Sequence, residues 1–148
     1  GTGSTLALVV LFIRSRVVYL KQLGKLSFIP GLFNINEPMI FGAPIVMNPL
    51  LAIPFVLAPM ANTLVVYLFT VSGLIPRMMV KPPFTVPAPL GALITTNWNL
   101  IACGLVFICF FISLAIYYPF FKVYEKKMLE TERRQQEEKA REVAQATR

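Results

Sequence analysis

Histidine is absent from the 148 residues, and cysteine occurs only twice. Without histidine, the His-assisted nucleophiles of hydrolytic catalysis and the common mixed metal sites lose a necessary member. Cys103 and Cys109 lie six positions apart on one apolar stretch. On a helix they stand about 9 Å apart along the axis, too far for a disulfide, so they read as small packing residues. Acid is nearly as scarce: Glu37 is the only acidic residue before Glu125. Charge of either sign amounts to 14% of the chain, against about 25% in soluble domains. From Leu26 to Pro76, 51 residues carry only Glu37, and from Pro82 to Phe121, 40 residues carry no charge at all. A soluble core does not contain such runs.

What is present is apolar. Hydrophobic residues make up 56% of the chain and the mean hydropathy is +0.66. A bilayer core takes about 20 apolar residues as helix, and both uncharged runs exceed that. The chain is therefore expected to be an all-α integral membrane protein. A pI of 9.7 would suit nucleic acid, but the basic residues sit elsewhere. Arg14, Arg16, Lys21, Lys25, Arg77 and Lys81 flank apolar segments, as in membrane loops. No nucleic-acid partner is expected; the surrounding partner is membrane lipid. The apolar stretch from Thr2 to Ile13 has no basic region before it and makes a poor signal peptide; the numbering is expected to begin at the edge of a transmembrane helix.

Read along the chain, about three transmembrane helices and a re-entrant helical hairpin are expected. The first span runs from about Thr2 to Leu20, with Arg14 and Arg16 snorkelling to the interface. Pro49 to Ser72 is a second, and Asn99 to Phe121 a third, ending in Tyr117, Tyr118, Phe120 and Phe121 as an interfacial belt. Between the first two, Leu26 to Asn48 holds Pro30, Gly31, Asn34, Asn36, Glu37, Pro38, Gly42 and Pro44. Proline and glycine interrupt helices, and irregular backbone at membrane depth survives only where it is buried in protein or lines a cavity. Two half-helices meeting at a polar tip, Asn34 to Pro38, satisfy both constraints. Pro44, Pro49, Pro54 and Pro59 recur every five residues and suggest a kinked region. Gly73 to Asn99 reads as a loop rich in Pro, Thr and Asn. Residues 1–121 thus form a membrane domain. Residues 122–148, with eight basic residues and six Glu, form a charged helical tail. The basic asymmetry puts the first loop and the tail in the cytoplasm. The spans then run inward, outward and inward, and the hairpin enters and leaves on the cytoplasmic side.

Glu37 is the residue that needs explaining. A carboxylate at membrane depth costs on the order of 3 kcal/mol. It either pairs with freed backbone groups to hold the helix break together, or it belongs to a polar site of the kind broken helices provide in transporters. Two amides and a carboxylate suit a neutral polyhydroxylated molecule better than an anion. Aromatic faces complement the C–H surfaces of sugar rings, which makes Phe84 and Trp98 candidates, Trp98 reading more simply as an interfacial anchor.

The stretch Asn34-Ile35-Asn36-Glu37-Pro38-Met39-Ile40-Phe41-Gly42-Ala43-Pro44 resembles the INEP-type signature of the membrane (IIC) subunit of sugar phosphotransferase systems, in the lactose/cellobiose/diacetylchitobiose family. Thr2-Gly3-Ser4-Thr5-Leu6, Asn48-Pro49 with Ile53-Pro54-Phe55, Gly73 to Arg77, and Tyr117 to Phe121 resemble further landmarks in the same order, over about residues 2–130. The resemblance implies a sugar translocation subunit of a bacterial plasma membrane, multi-pass, its substrate a β-linked disaccharide. A separate IIB subunit would phosphorylate the sugar; the chain itself would be a permease component with no catalytic or phosphoryl-carrying residue, no metal and no cofactor. By residue, it implies sugar binding by Asn34, Asn36, Glu37 and Pro38. Phe84 and Thr85 match a Pro-Trp-Thr pattern in which Phe84 replaces the usual Trp. Family members are about three times as long and use a histidine that this chain lacks. The resemblance is to their C-terminal third, and a missing N-terminal domain or companion chain would complete the site. Two other readings remain: a non-transporting membrane remnant or scaffold, and a channel, which the absence of a polar stripe along the clean spans disfavours.

Overall fold

A computed structural model describes residues 4–76, 80–83 and 85–146. Six helices follow in order: α1 (Thr5–Ile13), α2 (Val18–Leu32), α3 (Glu37–Gly42), α4 (Pro49–Val71), α5 (Ala88–Thr95) and α6 (Leu100–Ala146). No strand occurs among the described residues, in keeping with the all-α membrane fold expected.

Two described helices, Pro49–Val71 and Leu100–Gln145, are long and apolar enough to cross a membrane. The 23 residues of α4 extend about 34 Å, enough for a hydrocarbon core of about 30 Å. Asn48 caps α4 by accepting from Leu50 N–H at 3.1 Å, and Pro49 starts it, where a missing N–H costs nothing. Of the four evenly spaced prolines, only Pro54 and Pro59 fall inside a helix; Pro44 lies in the turn before α4. The 47 residues of α6 reach about 70 Å, running without interruption from the apolar stretch into the charged one.

The first expected span is different. Its described part is a nine-residue helix, α1, about 13.5 Å long, shorter than a hydrocarbon core of about 30 Å. The chain breaks at Arg14 to Val17, because Ser15 turns its hydroxyl back to accept from Val17 N–H at 3.1 Å and starts a new helix. α1 is apolar all round because it is enclosed: Ala7, Leu8, Val9, Leu11 and Phe12 are buried between α2 and α6. Gly24 of α2 makes the close approach possible. A Cβ there would lie 2.7 Å from the backbone nitrogen of Ile13.

Another correction concerns the aromatic belt. Tyr117, Phe121 and Tyr124 lie on one face of α6 and are buried; Phe12 packs on Phe121 with centroids at 5.7 Å and on Tyr124 at 6.2 Å. Of the residues assigned to a belt, Tyr118 is exposed, with Lys122 Nζ 5.5 Å from its ring. The segment read as a loop from Gly73 to Asn99 also contains α5, which packs against α6.

Candidate functional site

The hairpin expected at Leu26–Asn48 exists, with its first arm starting earlier. α2 forms that arm and α3 the second, and the chain reverses at Phe33 to Asn36. The reversal is a Schellman cap. Ile35 N–H donates to Pro30 O at 2.9 Å and Asn34 N–H to Gly31 O at 3.2 Å, satisfying carbonyls that the end of a helix leaves open. The motif needs a left-handed residue after the helix, and Asn34 takes it, at φ 64°. Asparagine tolerates this region better than most residues. On the other side, Asn36 precedes α3 and its carbonyl accepts from Met39 and Ile40 N–H, both at 3.0 Å. Glu37 and Pro38 open α3, where a carboxylate complements the helix dipole and a proline loses no hydrogen bond. Tyr19 Oη closes the hairpin base by donating to Gly42 O at 2.6 Å.

The tip meets the Pro/Thr-rich loop. Asn34 Nδ2 donates to the carbonyl of Val86 at 2.8 Å, across 52 residues of sequence. Thr85 is thereby carried close to the tip, exposed to solvent. Phe84 lies outside the described residues. Trp98 is exposed at φ 62° and stands apart from the cavity.

Beside the tip lies a cavity of about 500 Å³, within the range of small-molecule sites. Asn34 and Asn36 line it, with Gly31 and Leu32 of α2, Ser4 and Thr5 at the start of α1, Asn62 of α4, Ala88 and Pro89 of α5, and Phe107, Phe110, Phe111 and Ser113 of α6. Asn36 is buried, at 6% exposure, and Asn34 is half-buried. Glu37 is not in the lining: it is exposed at the tip. Pro38 is half-buried beside it. The structure therefore gathers Asn34 and Asn36 on one cavity, sets Thr85 next to the tip, and leaves Glu37 facing outward.

Two polar residues, Asn62 and Ser113, had passed unnoticed in the apparently clean spans. Asn62 Nδ2 donates to Ser113 Oγ at 2.7 Å and to Ser4 Oγ at 3.0 Å, so one amide ties α4 to α6 and to the start of α1. Ser113 Oγ in turn donates to Cys109 O at 2.8 Å. Thr5 Oγ1 and Asn62 Oδ1 are buried without a hydrogen-bond partner. A lone Asn at the middle of an apolar 23-residue segment was the available signal, since such a group must find partners in a membrane. Among the described residues, no basic side chain lines the cavity. Amides, hydroxyls and aromatic rings are suited to hold a neutral hydroxylated compound.

The sequence profile of the family "Phosphotransferase system, EIIC" matches residues 1–59. The oligo-beta-mannoside-specific EIIC component of Bacillus subtilis (strain 168) is 44% identical over 91% of this chain and 31% of its own length. The lichenan permease IIC component of the same organism is 40% identical over 89% of this chain and 30% of its own. The lactose-specific EIICB component of Lacticaseibacillus casei is 40% identical over 93% of this chain and 24% of its own. The chain thus spans about a third or less of the curated relatives it matches. The crystal structure of the transporter ChbC, the IIC component from the N,N'-diacetylchitobiose-specific phosphotransferase system, superposes with a TM-score of 0.84 at 39% identity, over 90% of this chain and 31% of that one. By sequence and by fold together, the chain is a counterpart of the C-terminal portion of the phosphotransferase-system EIIC components, the family that the Asn34–Pro44 signature resembles.

Proposed function

We propose that this chain forms the sugar-holding, C-terminal part of a phosphotransferase-system permease, a multi-pass protein of the bacterial plasma membrane. The observation that carries the reading is the hairpin tip. A break in a helical pair at Asn34 to Asn36 is fixed by its own backbone bonds and opens onto a cavity lined by amides, hydroxyls and phenylalanine rings. Broken helices next to a cavity are how transporters present polar groups to a substrate. Asn34 and Asn36 hold hydroxyls from within the cavity. Glu37, at the exposed tip, accepts hydroxyls from the side that this chain leaves open, and the N-terminal part of a longer permease or a companion chain supplies the facing wall. Pro38 fixes the direction of α3, Thr85 borders the sugar from the loop held against Asn34, and Phe84 contributes its ring to the sugar's C–H surface.

The substrate class is a β-linked disaccharide or a close relative of one. Relatives named for lichenan, oligo-beta-mannoside and lactose support the breadth of that class without selecting a member. The partner that phosphorylates the sugar is a IIB unit, as the name EIICB of the lactose-specific relatives suggests. Residues 1–121 are the membrane domain, and residues 122–148 a cytoplasmic helical tail.

A chimera tests this reading. The chain replaces the matching quarter of the lactose-specific EIICB component, and uptake of labelled lactose, cellobiose and diacetylchitobiose is measured in cells. Accumulation of at least one as its phosphate is expected. A chimera that inserts normally and accumulates none contradicts the proposal.

A further inference from the structure

We propose that Glu125 is a positioning residue for the sugar-binding hairpin, acting from the middle of α6 on the base of α2; the inference rests on the reading of that hairpin as the sugar site. Glu125 Oε1 accepts two hydrogen bonds, from Ser15 Oγ at 2.8 Å and from Arg16 N–H at 2.7 Å, across 110 and 109 residues of sequence. Ser15 Oγ itself accepts from Val17 N–H at 3.1 Å, so the two side chains form a relay into the first residue before α2.

The relay matters because α2 has no cap of its own. Its N-cap position is Val17, which offers no side-chain acceptor, and its first turn carries no acid. The open N–H groups and positive dipole end of a helix call for an acceptor with negative charge. α6 brings a carboxylate to this end of α2, where it accepts from Ser15 Oγ and Arg16 N–H just before the helix. Glu125 and Glu132 are the half-buried carboxylates of α6, whereas Glu130, Glu137, Glu138 and Glu142 are exposed; the two bonds to Ser15 and Arg16 go to Glu125. Directly beneath it, Phe12 packs on Phe121 and Tyr124, and Val17 and Leu20 are fully buried.

The geometry turns this anchor into a lever. The 15 residues of α2 extend about 22 Å from base to tip, so a tilt of about 10° at the base displaces the tip by about 4 Å. The N-terminal part of the same α6 lines the cavity through Phe107, Phe110 and Phe111. One helix thus forms a cavity wall and fixes the base of the arm that carries Asn34 and Asn36 to the same cavity.

In the chimera described above, uptake is measured against sugar concentration and normalised to inserted protein. Glu125→Ala is expected to raise KM about tenfold with the maximal rate per inserted molecule within about twofold. Glu125→Gln keeps an oxygen that accepts both bonds and is expected to stay within about twofold of the parent in both parameters. Ser15→Ala removes one bond and is expected to raise KM about threefold, which serves if Glu125→Ala does not insert. An unchanged KM in Ser15→Ala or Glu125→Ala, or a Glu125→Gln as impaired as Glu125→Ala, overturns the positioning role. Unimpaired uptake in Glu37→Gln overturns the sugar-site reading instead, so the two failures are distinct.

Discussion

The side-chain amide of Asn34 donates to the backbone carbonyl of Val86 at 2.8 Å, fastening the tip of the α2–α3 hairpin to the loop before α5. The same residue holds the left-handed position that ends α2, at φ 64°. One asparagine therefore shapes the turn, joins two distant segments and faces the cavity.

The two roles separate by substitution. Asn34→Gly keeps the left-handed turn and loses the bond to Val86, an expected loss of about 1 kcal/mol. Asn34→Ala loses the bond and strains the backbone, adding about 1–2 kcal/mol. Chemical denaturation of the chain in detergent measures both, and equal stabilities for the two variants would contradict the left-handed requirement.

Asn62 should behave as an interhelical clasp. Its bonds to Ser4 and Ser113 join three helices, and interhelical hydrogen bonds in membranes average about 0.6 kcal/mol each. Asn62→Leu is expected to cost about 1 kcal/mol in the same denaturation experiment, and Ser113→Ala less. A neutral Asn62→Leu would show that the amide contributes nothing to packing.

How far the sequence revealed this architecture depends on what each segment packs against. Asn48-Pro49 marked the start of α4 because cap and proline chemistry is local. The break at Asn34 to Pro38 was legible for the same reason. The enclosure of α1 was not legible, because an apolar stretch looks the same whether lipid or protein surrounds it; its burial depends on α6, far away in sequence, as well as on the adjacent α2. Tyr117 and Phe121 looked interfacial because aromatics suit both headgroups and cores, and only Phe12 decides between them. Glu125 looked solvated among its neighbours in the tail. Its role depends on a helix start 109 residues away that lacks its own cap.

Topology follows from the hairpin. Val18 at the start of α2 and Met47 after α3 are both exposed, and the Tyr19–Gly42 bond holds the two arms together at the base. With Cys103 and Cys109 replaced, single cysteines at Val18, Met47 and Lys139 are expected to react with a membrane-impermeant thiol reagent from the cytoplasmic side alone. Labelling of Val18 and Met47 from opposite sides would contradict a hairpin that returns to its side of entry.

Taken alone, the chain should bind sugar weakly. Within the cavity the hairpin tip offers Asn34 and Asn36, beside Ser4, Thr5, Asn62 and Ser113 from the helices, while Glu37 stands exposed outside. A few hydrogen bonds at about 1 kcal/mol net each correspond to roughly millimolar dissociation constants or weaker. Calorimetry of the chain in detergent with cellobiose, lactose and diacetylchitobiose measures this directly, and micromolar binding of any of them would mean that the site needs no further wall.

The most direct measurement is uptake by the chimera carrying Glu37→Gln. The carboxylate offers acceptors on both oxygens, and amidation replaces one of them with a donor. Hydrogen bonds to charged groups are worth about 1.5–3 kcal/mol each, so the loss should exceed tenfold in affinity once two hydroxyls are held. The account predicts normal insertion, judged by the amount of protein in the membrane, with sugar uptake abolished. Uptake equal to that of the unsubstituted chimera would contradict it and leave Glu37 as a residue that only starts a helix.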